Sequence, residues 1–178
     1  KASKSEKIIF FFLISLAVFS LSSFFLIKNK CLFVKDYNPE KLSFDKPNNI
    51  AILNVECGNV IIELYPNISP NAVERFKTLV RSKAYDDVAF HRVIKDSLVQ
   101  AGDLEFGKKG NIDYGKIGTG QSGLGTINSE VDVPFNYERG SVGLARTQKY
   151  NTEDSQFFIT LKDEPLYESE YTPIGKVI

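Results

Sequence analysis

Arg92 and Gln100 stand eight residues apart in the run Phe90-His91-Arg92-Val93-Ile94, Lys95-Asp96-Ser97, Leu98-Val99-Gln100-Ala101-Gly102-Asp103. The run reads as two short adjoining strands around a Lys95-Asp96 turn. Side chains alternate faces along a strand, so Phe90, Arg92 and Ile94 share one face. If the turn preserves parity, Leu98, Gln100 and Gly102 continue that face. A guanidinium with a rigid fork of donors, an amide and an apolar wall then converge on one spot. Such a grouping suits a neutral polar substrate with an apolar ring better than it suits hydrolysis. Gln156 and Phe158 share the parity of another strand-like run, Gln156 to Leu161. No serine or cysteine is placed by local sequence as a nucleophile for His91, the single histidine, so triad chemistry is set aside. His91 falls on the strand face opposite Arg92 and reads as a hydrogen-bonded structural residue.

The elements that must carry these side chains are short. Asn49 to Tyr65 reads as a hairpin with Gly58-Asn59 at its turn. Ser69 is placed to cap a helix with Pro70 at its first position. Ala72, Val73, Phe76, Leu79 and Val80 follow helical spacing and predict one buried stripe. The glycine-rich run from Gly107 to Gly125 contains Gly118-Thr119-Gly120 without a strand–glycine–helix context, so it is read as a long surface loop rather than a nucleotide cradle. Strands are expected at Gly140 to Ala145 and at Gln156 to Leu161. Many short strands and one early helix predict a mainly β fold, a closed antiparallel barrel with flanking helices.

Composition narrows the classes. Twenty-two basic residues balance twenty-two acidic ones, and no basic stripe is interleaved with aromatics, so nucleic acid is not an expected partner. One histidine with Cys31 and Cys57 falls short of a zinc ligand set, and no metal or other cofactor is expected. The two cysteines leave the redox compartment open. Palmitoylation of Cys31 is conceivable, an unmodified interfacial thiol the simpler reading. Asn67-Ile68-Ser69 matches a glycosylation acceptor, but Pro70 follows and no glycan is expected. Without a methionine, the chain is read as starting after its natural first residue.

Residues 8–27 carry no charge over twenty positions, enough at about 1.5 Å per residue to cross a hydrocarbon core of roughly 30 Å. An uncleaved anchor fits this length better than a signal peptide, whose apolar region runs only about 7–15 residues. Residues 1–7 are then a stub, 28–47 a polar linker and 48–178 the folded domain of a single-pass membrane protein. The secretory pathway is the expected route. Lys1, Lys4 and Lys7 before the span match Lys28, Lys30 and Lys35 after it, so the side of the membrane is not set by charge.

The segment from Phe90 to Asp103 resembles the signature of the cyclophilins, a family of peptidyl-prolyl isomerases. Asn71-Ala72-Val73-Glu74-Arg75-Phe76 is similar to that family's first helix, and Gly118-Thr119-Gly120 to its glycine loop. Arg139 to Thr147 resembles the central strand of bacterial members, Ser155 to Ile159 the second signature, and Gly175-Lys176-Val177-Ile178 the closing one. The resemblance spans about residues 48–178 and implies a further helix and closing strand after Ile178.

It also implies a reaction. An X-Pro bond favours trans only slightly, yet amide resonance sets a barrier of about 18–20 kcal/mol. Lowering it needs no nucleophile, metal or proton transfer. A donor aimed at the prolyl nitrogen draws its lone pair out of conjugation and gains strength as the bond twists, as selective transition-state binding requires. The resemblance gives that catalytic role to Arg92, with Gln100 holding the guanidinium or a substrate carbonyl. It implies a substrate site of Phe90, Ser97, Leu98, Gly118, Ala145, Arg146, Gln156, Phe158, Leu166 and Tyr171, taking proline-containing polypeptides during folding. Ser97 stands where most members carry phenylalanine, and a lost aromatic contact should weaken proline binding tenfold or more. Leu98 for the usual methionine is nearly volume-conserving. Arg146 replaces an asparagine, and Tyr171 aligns with a histidine. Pro165 lies near the tryptophan that helps hold cyclosporin, so weak cyclosporin binding is expected. These departures motivate an alternative: a catalytically weak, membrane-tethered module that grips proline peptides as a scaffold.

Overall fold

The computed structural model describes residues 3–28, 31 and 38–178. Residues 29–30 and 32–37 of the polar linker read from residues 28–47 therefore lie outside the described residues; its far end holds short helical turns at Pro39–Lys41 and Pro47–Asn49. Contacts divide the chain into two compact units, one built on the N-terminal helix and Asn54–Asn59, the other on Pro39–Leu53 and Val60–Ile178.

In the first unit, helix α1 runs Lys4–Lys28 and buries no residue. It is long and apolar enough to cross a membrane by length and composition. Cys31 and Cys57 form a disulfide across 26 residues of sequence, so Cys31 offers no thiol for acylation.

The second unit is a seven-stranded sheet in the order β1-β2-β7-β5-β6-β4-β3. The strands are β1 (Ile50–Val55), β2 (Gly58–Leu64), β3 (Arg92–Ile94), β4 (Leu98–Ala101), β5 (Ser141–Leu144), β6 (Phe157–Thr160) and β7 (Pro173–Val177). The pairs β2–β7, β3–β4, β4–β6, β5–β6 and β5–β7 are all antiparallel. The closed barrel expected from the strand count is present as a curled half-barrel, with β1 and β3 at its two edges.

Alternation sorts the side chains onto two faces. Val99 and Ala101, Val142 and Leu144, and Phe157 and Ile159 join Ile62, Leu64 and Ile174 in the main core. Helix α2 (Pro70–Arg81) covers that core with Ala72, Val73, Phe76 and Leu79. Val80, assigned to the same stripe from its spacing, is 40% exposed, because it lies one position past the last inward turn. Ser69 does not cap α2 through its side chain, and its hydroxyl is buried without a partner among the described residues. The carboxylate of Glu130 accepts from the Asn71 and Ala72 amides instead, at 3.2 and 2.9 Å, and so places an anion at the helix's positive end.

Candidate active site

The face of the sheet turned away from the main core carries the site. The β3–β4 hairpin closes through Lys95, Asp96 and Ser97, with Asp96 in the left-handed region at φ 56°. That loop sets Arg92 opposite Gln100 and Ile94 opposite Leu98. Gln100 in turn lies opposite Phe158, and Phe158 opposite Gly143. Directly paired residues share a face, so Arg92, Gln100, Phe158 and Gly143 form one row across β3, β4, β6 and β5. Gly143 must be bare: a Cβ there would collide with the Tyr137 hydroxyl and the Phe158 ring.

The polar side chains along this row are linked. Arg92 Nη1 donates to Gln100 Oε1 at 3.2 Å, and Gln100 Nε2 donates to Gln156 Oε1 at 2.9 Å. Gln156 Nε2 donates to the carbonyls of Gly118 and Gly120, both at 3.0 Å. Each amide thus holds the next, and Arg92 keeps its head at the exposed end of the chain.

The glycine loop that ends this relay is held by Asp103. One oxygen of Asp103 accepts from the amides of Glu105 (3.1 Å) and Phe106 (2.8 Å), the other from Gly118 (2.6 Å) and Gly120 (3.0 Å). Burial pushes this carboxyl up, but the four amide bonds outweigh it and hold it below the usual aspartate range. Gly120 approaches the carboxylate so closely that any Cβ would overlap it. Asp103 was visible in the sequence only as the end of a motif. Its partners lie 15 and 17 residues on.

Beside the relay lies an aromatic patch. Phe158 and Leu98, each 3% exposed, form a second apolar cluster with Tyr137, and Phe135, Ala145, Tyr167 and Tyr171 pack against it. Tyr137 stacks beneath Phe158 at 5.9 Å, and Tyr171 meets it edge-on at 5.2 Å. Tyr137 Oη donates to the Tyr171 carbonyl at 3.0 Å. A cavity of about 250 Å³ opens next to the patch, lined by Gln100, Gln156, Ala145, Arg146 and the loop Gly118–Gln121.

Arg146 contributes a rigid wall. Its guanidinium lies 4.2 Å over Tyr150 and 5.1 Å from the Tyr171 ring centroid. It also donates to the Glu170 carbonyl at 2.9 Å and to the Glu170 carboxylate at 2.7 Å.

Two residues grouped with the site from the sequence stand elsewhere. Phe90 packs against the main core, because β3 begins only at Arg92 and alternation does not extend back to it. Leu166, on the turn Pro165–Tyr167, is 83% exposed, while its neighbour Tyr167, not read from the sequence, turns inward. Ser97 Oγ donates to Glu164 Oε1 at 2.7 Å. His91 lies under the glycine loop with its ring near Gly118, and Gln156 and the Ala89 backbone are its polar neighbours. Burial lowers its pKa, which favours the neutral ring.

Comparison with known proteins agrees with this geometry. Residues 50–178 match the family model described as cyclophilin type peptidyl-prolyl cis-trans isomerase/CLD. A probable peptidyl-prolyl cis-trans isomerase of Brucella suis is 44% identical over 135 residues, 74% of this chain and 67% of the relative. A peptidyl-prolyl cis-trans isomerase of Schizosaccharomyces pombe is 32% identical over 131 residues, 71% of this chain and 76% of the relative. The crystal structure of a cyclophilin type isomerase from Cryptosporidium parvum, determined in the presence of the dipeptide Ala-Pro, superposes with a TM-score of 0.59 at 30% identity, covering 68% of this chain and 73% of that one. A cyclophilin from Hirschia baltica shares the fold at a TM-score of 0.61 and 21% identity, over 80% of this chain and 71% of that one. The chain belongs to the cyclophilin-type peptidyl-prolyl cis-trans isomerases. Its reaction is rotation about X-Pro peptide bonds.

Proposed function

We propose that Arg92 is the catalytic donor and that the Phe158 patch seats the prolyl ring. The linked row Arg92–Gln100–Gln156 beside Phe158 is the observation that carries this reading. Gln100 occupies one guanidinium donor and so fixes the plane of the head, which leaves it aimed over the patch. As the X-Pro bond twists, the prolyl nitrogen becomes pyramidal and a better acceptor. The interaction therefore grows toward the transition state and lowers the barrier. Ala145 and Leu98 border the ring, and the cavity beside Gln156 and Arg146 takes the neighbouring peptide. Rotation about the bond breaks and forms no covalent bond, so this reading calls on these side chains as donors and apolar walls only. Replacing Arg92 with alanine in the full chain, assayed on an X-Pro peptide in mild detergent, should lower kcat/KM about 100-fold or more. Unchanged activity refutes the assignment. Cyclosporin binds weakly in this reading, since exposed Leu166 follows Pro165 where the drug-contacting tryptophan is absent.

The same proposal anchors the chain through α1 and sets the domain on the oxidising side of the membrane. The Cys31–Cys57 bridge supports this side, because such bridges persist where thiols are not kept reduced. Protease protection on sealed vesicles tests it: digestion of the domain from the reducing face contradicts the proposal.

A further inference from the structure

Among the described residues that line the cavity beside Gln156, Arg146 and Asp154 carry charge, and each is already ion-paired. Asp154 pairs with Arg75 of α2 and also accepts from the amide and hydroxyl of Ser122. Arg146 pairs with Glu170, 24 residues further along the chain. The members of this second pair differ in exposure. The Arg146 side chain is 8% exposed and that of Glu170 50%.

The Arg146 guanidinium is caged. One face lies 4.2 Å over the Tyr150 ring, and the Tyr171 ring centroid stands 5.1 Å away. Nε donates to the Glu170 carbonyl at 2.9 Å and Nη1 to the Thr147 carbonyl at 3.0 Å. Nη2 donates to Glu170 Oε2 at 2.7 Å. That same oxygen accepts from Tyr150 Oη at 2.9 Å, so Glu170 fastens both the cation and the ring stacked on it. The loop carrying Tyr150 is fixed from behind. Asn151, at φ 62°, donates its amide to Ser129 Oγ at 2.8 Å and accepts from the Ser129 amide at 2.9 Å. A guanidinium so shielded from water needs an anion beside it, and Glu170 is that anion.

We propose that Glu170 is a positioning residue that sets the charge selectivity of the site. It neutralises Arg146 where that residue borders the cavity. The fields of the paired charges largely cancel beyond the pair, so Arg146 serves as a wall and draws no acidic side chain. The substrates are then X-Pro segments selected for the proline and not for an acidic neighbour. This deepens the reading of Arg92 and Phe158 as the isomerase centre and rests on it.

The test is Glu170→Gln in the full chain in mild detergent, with thermal unfolding followed in parallel. The readout is kcat/KM on X-Pro peptides carrying Glu, Gln or Lys at each of the two positions before proline. Glutamine keeps an acceptor for Arg146 and Tyr150 and removes only the charge. The preference for Glu over Lys should rise about fivefold above the parent at one of these positions, as for a partly exposed charge pair. Arg92 is common to both proteins and cancels in the comparison. Raising salt from about 0.1 to 1 M should remove most of the gain, because the screening length shrinks from about 10 to 3 Å. Glu170→Asp, which keeps the charge, should stay within about twofold of the parent preference. Arg146→Gln combined with Glu170→Gln should also return it to within about twofold, since no unmasked cation remains. Lost packing alone cannot give a charge-dependent, salt-sensitive change that a second substitution cancels. An unchanged preference in Glu170→Gln overturns the proposal, as does a gain that survives in the double variant. Arg92→Ala in the same assay separates the two levels. Retained turnover there defeats the underlying site, whereas lost turnover with an unchanged preference in Glu170→Gln defeats only the role of Glu170.

Discussion

Replacing Asp103 with asparagine changes one atom and should disable the loop that ends the polar relay. The carboxylate is fully buried and accepts four backbone amides, from Glu105, Phe106, Gly118 and Gly120. Asparagine keeps one oxygen and turns an NH₂ group toward the other two amides. Two buried donors then lose their acceptor at about 1–3 kcal/mol each, and the remaining two bonds lose their charge assistance. A total of about 3–5 kcal/mol follows, a large part of the roughly 5–15 kcal/mol that holds a domain of this size. At about 3–4 °C per kcal/mol, Tm should fall by roughly 10–15 °C. Because Gln156 hangs on the Gly118 and Gly120 carbonyls, kcat/KM should fall as well. The pH dependence gives a sharper check. The folded-state pKa of Asp103 lies below the ordinary aspartate value of 3.8, so its stabilisation is complete above that value and lost as pH falls through the folded pKa. The stability gap between parent and Asp103→Asn, measured by urea unfolding in mild detergent, should be constant from pH 7 to about 5 and close in stronger acid. A gap under about 1 kcal/mol at neutral pH, or one that persists unchanged in acid, refutes the reasoning.

Other expectations follow from single contacts. Arg146→Ala removes a side chain packed between Tyr150 and Tyr171 and bonded to Glu170; it should cost about 1–2 kcal/mol and raise KM, and unchanged values in unfolding and peptide kinetics would contradict that role. His91 is the single histidine, and burial lowers its folded-state pKa from 6.5. The unfolded chain therefore binds its proton first, and stability should decline as pH drops below about 6.5 toward the folded pKa. His91→Gln should flatten that slope in urea titrations between pH 7 and 5, and identical slopes would dismiss the assignment. Reducing the Cys31–Cys57 bridge, which joins residues 26 apart, should cost about 3.5 kcal/mol from chain entropy. Thermal unfolding with and without a phosphine reductant measures it, and an unchanged transition rules that contribution out.

The parts of the site legible in the sequence are those that local geometry controls. Alternation along each strand put Arg92 and Ile94 on one face with Leu98 and Gln100 continuing it, and the register pairs them across the hairpin in the way parity requires. Helical spacing picked out Ala72, Val73, Phe76 and Leu79 because the period of the backbone decides which side chains face inward. The same local rule overreached at its margins. Phe90 precedes the strand, and Val80 lies one step off the buried stripe.

What escaped the sequence depends on which segments meet. Glu130 replaces Ser69 at the start of α2 from 58 residues away, and nothing in the local run announces it. Asp103 needs the Gly118 and Gly120 amides to show its purpose, and Tyr167 needs Phe158 beneath it. By itself the sequence determined the residue types, the face each strand offers and the family they resemble, because those follow from backbone period and side-chain chemistry. Only the tertiary structure decided the contacts that make the site, since the strand order β5-β6-β4-β3 brings into one row residues that the chain keeps far apart.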